Sequence, residues 1–168
     1  MGWSTTAPTL PSGSSWAQVN TLWYENNNLK ITGTIYVARL NGTNFAVKVT
    51  ETRTFYRSYF DDTYHRCDIA GVTGTAYTGS WPANSGDTVS YYFTGEAAAG
   101  ASITVTVGRQ ADSTGDMKAS TFAAPALLGP TVYIKVGGTW KQASAVYVKS
   151  SGAWKEGQLK INVGGAWK

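Results

Sequence analysis

The sequence has one cysteine, Cys67, and one histidine, His65, among its 168 residues. A single cysteine excludes an intramolecular disulfide and any metal site built from several cysteines. A single histidine leaves zinc chemistry or a catalytic triad without its usual partners. The sequence also lacks a phosphate-binding loop, a dinucleotide-binding fingerprint and a Gly-x-Ser-x-Gly elbow. We therefore expect a protein that is not an enzyme and that holds no metal or cofactor.

The densest polar patch of the sequence offers the one alternative to this expectation. Four of its side chains could in principle collect a metal ion or supply an acid and a base: Asp61, Asp62, His65 and Asp68. Their spacing matches no known ligand pattern, and neighbouring aspartates commonly start turns. We favour a loop of solvated aspartates that leads into a strand, in which Cys67 is a small buried hydrophobic residue.

Long apolar runs are absent as well. No stretch approaches the roughly 18 apolar residues of a membrane span, so no membrane partner is predicted. The first six residues contain no basic region followed by an apolar run, so no signal peptide is expected. We expect synthesis in a cytoplasm and, if the protein acts outside a cell, release by a route such as lysis. Because a repeat described below ends at Lys168, we also expect the chain to be complete at this end.

Glycine and aromatic residues are abundant, with 19 Gly, 10 Tyr and 7 Trp against 14% charged residues. Together with many β-branched residues, this composition predicts an all-β protein. Apolar residues alternate along five stretches, as in strands that have one buried face. The alternating positions are Leu29, Ile31, Ile35 and Val37; Phe45, Val47 and Val49; His65, Cys67 and Ile69; Val89, Tyr91 and Phe93; and Ile103, Val105 and Val107.

These stretches and turn signals such as Asn41-Gly42 predict six or seven short strands between Leu29 and Gly108. The pattern is typical of an antiparallel sandwich that resembles immunoglobulin or fibronectin type III modules. We assign residues 29–110 to this immunoglobulin-like β-sandwich and residues 111–130 to a linker. Residues 1–28 are predicted to be an N-terminal extended arm, with one or two helical turns at Ala17–Tyr24. The arm carries aromatic residues, so we expect it to dock on its own domain or on a neighbouring subunit.

A short motif occurs three times in residues 131–168, as VGGTWK, SSGAWK and VGGAWK. A repeated unit of this size is one β-hairpin, whose glycine turn needs positive φ angles. The sequence therefore predicts three β-hairpin repeats. Centring each turn on the glycines places Lys135 opposite Trp140, Lys149 opposite Trp154 and Asn162 opposite Trp167. A lone hairpin is marginal in water, so the three must pair together, or pack on the sandwich or on other chains.

The predicted register gives each hairpin an aliphatic face suited to a core and an opposite face of aromatic and cationic residues. On the second face we place the candidate residues for binding a protein partner or a glycan. They are Tyr133, Lys135, Trp140, Tyr147, Lys149, Trp154, Lys160 and Trp167. Aromatic rings stack on the apolar side of sugars. The alternative is that these rings pack between the hairpins.

The repeats also carry the positive charge of the chain. Residues 131–168 hold six Lys and one Glu, a net charge of +5, whereas residues 1–130 hold eight Lys and Arg and nine Asp and Glu, a net charge of −1. An anionic partner such as a wall polymer or nucleic acid would fit this excess. We favour the simpler interpretation that Lys keeps exposed strands soluble and blocks edge pairing, and nucleic acid is not a predicted partner.

The repeats, of which VYIKVGGTWK is the best copy, resemble the glycine-glycine, tryptophan-lysine endings of structural proteins from tailed bacteriophages. Minor tail, tail-tip and fibre-like proteins carry such endings. The resemblance covers residues 132–168, and the second and third copies depart from it at Ser150-Ser151 and at Asn162. It implies a non-enzymatic virion protein, associated with the tail tip, baseplate or fibre and made in the host cytoplasm.

The resemblance also implies partners. We expect a homo-oligomer that contacts other virion proteins and that takes part in host attachment, with bacterial surface glycans as candidate ligands. Two alternatives remain open at this point. One is a capsid decoration or head-fibre protein, and the other is a cell-wall glycan-binding module.

Overall fold

The computed structural model describes residues 2–57, 62–109, 117–127, 133–142, 147–150, 152–156, 162–163 and 166–167, and it describes the strands beyond residue 132 by their backbone. The regular elements in these ranges are β-strands that pair antiparallel, which confirms the all-β prediction. The chain divides into two units, Met1–Leu128 and Gly129–Lys168. Across the described ranges, a helix long and apolar enough to cross a membrane is not found.

The described part of the first unit has nine strands in two sheets. They are β1 Gly2–Ser4, β2 Ala17–Glu25, β3 Leu29–Arg39, β4 Asn44–Phe55, β5 Asp62–Ile69, β6 Tyr77–Ser80, β7 Thr88–Glu96, β8 Ser102–Gly108 and β9 Met117–Ala123. Sheet A has the strand order β1-β7-β4-β3-β2, and sheet B has the order β6-β5-β8-β9. The unit is therefore an all-β, sandwich-like structure of two antiparallel sheets.

The hydrophobic core contains residues from both sheets, because alternate side chains of each strand point inward. The alternation predicted this core. Of the predicted positions, Ile69 and Val89 are half-buried and the others are buried. The inward parity of β4 continues beyond Val49 to two charged residues, Glu51 and Arg53, which are also fully buried.

Three strands come from segments that the sequence analysis placed outside the sandwich. β1 and β2 belong to the predicted arm, and β9 belongs to the predicted linker. The helical turns predicted at Ala17–Tyr24 are wrong, because β2 pairs with β3 along this stretch. A register shift between Gln18 and Asn20 interrupts its alternation. β9 contains mainly small and polar residues, of which Ser120 is buried, so it lacks an apolar alternation.

The described strands of the second unit form three two-stranded antiparallel hairpins. They pair β10 Tyr133–Val136 with β11 Thr139–Gln142, β12 Tyr147–Ser150 with β13 Ala153–Glu156, and β14 Asn162–Val163 with β15 Ala166–Trp167. The φ angles of Gly137, Gly138 and Gly152 are 59°, 84° and 82°. These angles lie in the left-handed region, as predicted for two-residue turns.

Candidate functional site

The residues predicted to bind a partner lie in the hairpins of the second unit, apart from Lys160, which lies outside the described residues. The backbone register matches the predicted one, with the pairs Lys135–Trp140, Lys149–Trp154 and Asn162–Trp167. The two tyrosines pair farther from the turns, Tyr133 with Gln142 and Tyr147 with Glu156. Residues that pair directly across antiparallel strands share one face of the ribbon. Each Trp therefore shares a register position with a Lys or an Asn.

The first unit carries a second candidate binding surface, which the sequence analysis did not identify. The strand register arranges the outward residues of sheet A in rows, and we call three neighbouring rows the outer face. The rows are Trp23–Thr32–Thr52–Thr88, Thr21–Thr34–Thr50–Ser90 and Tyr36–Lys48–Tyr92. Their neighbours along the strands, such as Leu22, Ile35 and Tyr91, are buried. Period-2 alternation therefore fixes these rows on the side away from the core.

Hydroxyl groups cover the middle of the outer face. Thr50 Oγ1 lies 2.9 Å from Ser90 Oγ, and Thr52 Oγ1 lies 2.6 Å from Thr88 Oγ1. These pairs hold the side chains of β4 and β7 in fixed positions across the sheet. The result is a surface that presents hydroxyl groups.

Aromatic rings flank this hydroxyl surface at both ends. At one end the side chain of Trp23 is 62% exposed. At the other end Lys48 Nζ lies 4.1 Å from the centroid of the Tyr36 ring and 5.4 Å from that of Trp16, and the Trp16 ring is 6.0 Å from the Tyr92 ring. Such cation–π contacts fix the ammonium group over the rings. Within the three rows the one charged residue is Lys48, and the next row along the strands adds the ion pair of Lys30 with Glu25, whose charges cancel, so the charge of this surface comes from Lys48.

A buried polar cluster lies between the two sheets and involves the only histidine of the sequence. Glu51 Oε1 lies 3.0 Å from Arg53 Nη2, 3.2 Å from Arg53 Nε and 3.1 Å from His65 Nε2. Arg53 also donates to Thr63 Oγ1 at 3.0 Å and to the carbonyl oxygens of Asp62 and Gly108. The side chains of Glu51, Arg53 and His65 are fully buried.

The hydrogen bonds of this cluster determine where the imidazole carries its proton. A carboxylate only accepts, so His65 Nε2 must donate to Glu51. His65 Nδ1 lies 3.3 Å from Thr63 Oγ1, which accepts a hydrogen bond from Arg53 Nη2. The contact with Glu51 therefore places an imidazole proton on Nε2.

The protonation of Glu51 depends on the same contacts. Burial alone would raise the pKa of this carboxyl group. The Arg53 guanidinium and the His65 imidazole oppose burial, and they hold the pKa of Glu51 below its ordinary value. Aromatic rings enclose the cluster, with the Tyr91 ring 4.1 Å from the His65 ring and the Trp81 ring 4.8 Å from the Arg53 guanidinium carbon. The arrangement neutralises charge inside the core.

The structure does not assemble the aspartates of the alternative enzymatic hypothesis around His65. Asp68 binds Arg66 and the backbone N–H of Gly74, and Asp62 contacts the cluster through its carbonyl oxygen. Asp61 lies outside the described residues. Among the described residues, no group of three His, Cys, Asp or Glu is placed to hold a metal ion. Cys67 is buried, as predicted, and burial raises the pKa of its thiol to about 12.

Comparisons of the chain with protein-family models, with curated proteins and with solved structures found no match.

Proposed function

We propose that this chain is a non-enzymatic structural component of a tailed-phage virion, associated with the tail tip, baseplate or fibre. Its role would be assembly with other virion proteins and attachment to the host surface. The observation that carries the proposal is the shared register of the three hairpins. In each hairpin the Trp pairs with the residue one position farther from the turn than the pair that flanks it, so the three copies of the motif that resembles the phage endings share one backbone arrangement.

The hairpins also support a role in assembly on physical grounds. Each strand of the first two hairpins has four residues, and each strand of the third has two. Hairpins of this length are marginally stable in isolation and gain stability when they pack on other strands. We propose that they form an array that is completed in the particle, by contact with one another or with neighbouring chains.

For the first unit we propose an immunoglobulin-like sandwich. In immunoglobulin folds, strands B and E pair in one sheet, while C, F and G pair in the other. The pair β4–β7 in sheet A and the neighbours β5–β8–β9 in sheet B follow the same order along the chain. This correspondence supports the assignment of β4, β5, β7, β8 and β9 to the immunoglobulin strands B, C, E, F and G. In this assignment β1 and β2 are additional strands of sheet A.

Purified particles test the virion proposal directly. We would label the C-terminus of the chain, purify particles of the phage that encodes it, and image them in negative stain. Label at the tail in a few copies per particle is the expected result. Label spread over the head would support the capsid decoration or head-fibre alternative, and absence of the chain from purified particles would remove the proposal.

A second candidate function is glycan binding, which the chemistry of the outer face favours. The row that begins at Trp23 crosses β3 at Thr32, and the row of Tyr36, Lys48 and Tyr92 crosses it at Tyr36. These two β3 positions are four residues apart, which is about 13 Å at the rise of a strand. The hydroxyl row between them suits the hydroxyl groups of a short oligosaccharide, while the rings suit its apolar faces. Lys48 would favour glycans that carry carboxylate or phosphate groups.

Cosedimentation of the purified protein with bacterial cell-wall fragments tests this second function. Trp23→Ala should weaken binding about tenfold or more, which corresponds to roughly 1.4 kcal/mol. Val72→Ala is the matched control, because Val72 is 71% exposed and lies outside the outer face. A combined Ala substitution of Trp140, Trp154 and Trp167 examines the hairpins separately. Equal binding by all variants would contradict glycan recognition by either surface.

A further inference from the structure

Strands β1 and β2 lie at opposite edges of sheet A, although they are consecutive in the chain. Four inter-strand spacings separate them, a distance of about 19 Å. Residues 5–16, which we call the connecting loop, cover this distance without forming a strand. β1 is therefore attached to its sheet through its own pairing and not through a hairpin with the next strand.

The second half of the connecting loop is bound to its own unit. Ser14 Oγ donates to the carbonyl oxygen of Arg39, and the Trp16 ring contacts Lys48 and Tyr92. The first part differs, because Thr5, Thr6 and Ala7 are exposed. The hydrogen bond from Thr6 N–H to Ser4 Oγ joins this first part to β1 itself. These three residues, which we call the hinge, span at most about 10 Å when extended.

One side chain anchors β1 to the core. Trp3 pairs with Phe93, its ring lies 5.1 Å from the ring of His65 and 5.5 Å from that of Phe93, and it packs against the core. We call His65 and Phe93 the Trp3 site. β5 supplies His65 and β7 supplies Phe93, so neither residue of this site belongs to the connecting loop. The Trp3 of a second copy would therefore find the same contacts.

We propose that β1 is an exchanged strand, so that in the assembled protein Gly2–Ser4 of one copy pairs with β7 of the next copy and its Trp3 occupies that copy's Trp3 site. Closed and exchanged forms contain the same β1–β7 contacts and differ in the path of the hinge, which makes exchange a low-cost route to an oligomer. Reciprocal exchange gives a dimer, and sequential exchange gives a ring or an open chain of copies. The proposal rests on the topology of sheet A, so its failure would leave the virion proposal standing.

Mixed single-cysteine variants separate exchange from intrachain pairing. In a Cys67→Ala background, one protein carries Gly2→Cys and the other carries Thr94→Cys, at positions that are opposite in register. A side chain at Gly2 meets no atom within 4 Å, so the new cysteine fits. Neither variant can form the disulfide alone within its chain. After mixing at about 1 mM, which is the effective concentration typical of a short linker, we expect a disulfide-linked heterodimer on non-reducing gels.

Three controls make each outcome decisive. A mixture of Thr50→Cys and Ser90→Cys, which are opposite in register on β4 and β7, measures random collision because these strands are internal to one unit. Adding Trp3→Ala to the Gly2→Cys chain should abolish the cross-link. A cross-link no stronger than the control mixture, or one that survives Trp3→Ala, would overturn the proposal. A chain carrying both Gly2→Cys and Thr94→Cys should close within itself in dilute solution, and failure to do so would overturn the β1–β7 pairing itself.

Discussion

Glu51 Oε1 and His65 Nε2 are 3.1 Å apart in a core where both side chains are fully buried. The pair joins the two sheets, because Glu51 lies on β4 of sheet A and His65 lies on β5 of sheet B. Gly33 pairs directly with Glu51 on the neighbouring strand and has no side chain. Charged groups in a core are costly unless they are paired. The geometry of this cluster therefore limits which substitutions the first unit tolerates.

Glu51→Gln should destabilise the first unit by roughly 3 kcal/mol or more, because it leaves the buried guanidinium of Arg53 without its counter-charge. The pH dependence should change as well. The folded-state pKa of Glu51 is lowered, so its contribution is present above the ordinary value of 4.5 and is lost as pH falls below it through the folded-state pKa. The Gln variant should lack this part of the acid destabilisation.

Urea unfolding between pH 7 and pH 3 measures both effects. Accessibility of the single thiol, Cys67, follows the first unit specifically, because this side chain is buried in its core. Glu96→Gln is the matched control, since Glu96 is exposed on β7. Equal losses of stability in the two variants at pH 7 would contradict the role assigned to the buried carboxylate.

Gly33→Ala should destabilise the first unit by about 2 kcal/mol or more, because overpacking forces the backbone to move. A Cβ atom at Gly33 would lie 2.1 Å from the carbonyl oxygen of Thr50 and 2.8 Å from the Cα atom of Glu51. Gly79→Ala is the control on β6, where an added Cβ meets nothing within 4 Å. Urea midpoints should fall for the first variant and stay the same or rise for the second. A Gly33→Ala protein as stable as the parent would show that β3 and β4 separate easily.

The sequence predicted the core of the first unit well because strands with one buried face alternate with period 2. The positions of Val47 and Val105 follow from that rule alone. The same rule could have indicated the buried charges, since Glu51 and Arg53 continue the parity of Val49. Charged side chains are almost never fully buried unless they are paired, so the sequence alone does not reveal that these two are buried.

Other features depend on information that local patterns do not contain. The outer face requires the pairing of Tyr36 with Lys48 and of Lys48 with Tyr92, and the second of these joins residues far apart in the sequence. The position of β1 likewise results from a long-range contact of Trp3. The hairpin registers were predictable because each turn is local and its glycines determine the pairing.

Cys67 should react very slowly with thiol reagents in the folded protein at pH 8, and rapidly in concentrated urea. The thiol is buried, and burial together with the charge of Asp68 raises its pKa from 9.0 to about 12. Because the folded-state pKa is raised, the contribution of the thiol to stability is present below pH 9 and is lost as pH rises towards 12. Cys67→Ala should therefore show a smaller loss of stability over this range. Equal reaction rates in buffer and in urea would contradict the buried position.

Arg39→Lys should destabilise the first unit by about 1–3 kcal/mol, although the charge is conserved. Arg39 is buried, and its guanidinium donates to four carbonyl oxygens from three segments of the chain: those of Thr43, Ala97, Pro125 and Ala126. The planar guanidinium reaches several acceptors at once, whereas an ammonium group cannot reproduce this fork. The segment that follows β9 should lose its attachment first, because two of the four carbonyls belong to it.

Hydrogen exchange at the amide of Ala124, which donates to the carbonyl oxygen of Ala101 at 2.8 Å, reports this local effect. We expect faster exchange at Ala124 in the Lys variant and a lower urea midpoint measured at Cys67. Arg57→Lys is the control, since Arg57 is exposed. Both variants keep the positive charge, and only Arg39→Lys removes the buried guanidinium. Equal exchange rates of Ala124 in the two variants would therefore show that the charge, and not the geometry of the guanidinium, holds this segment.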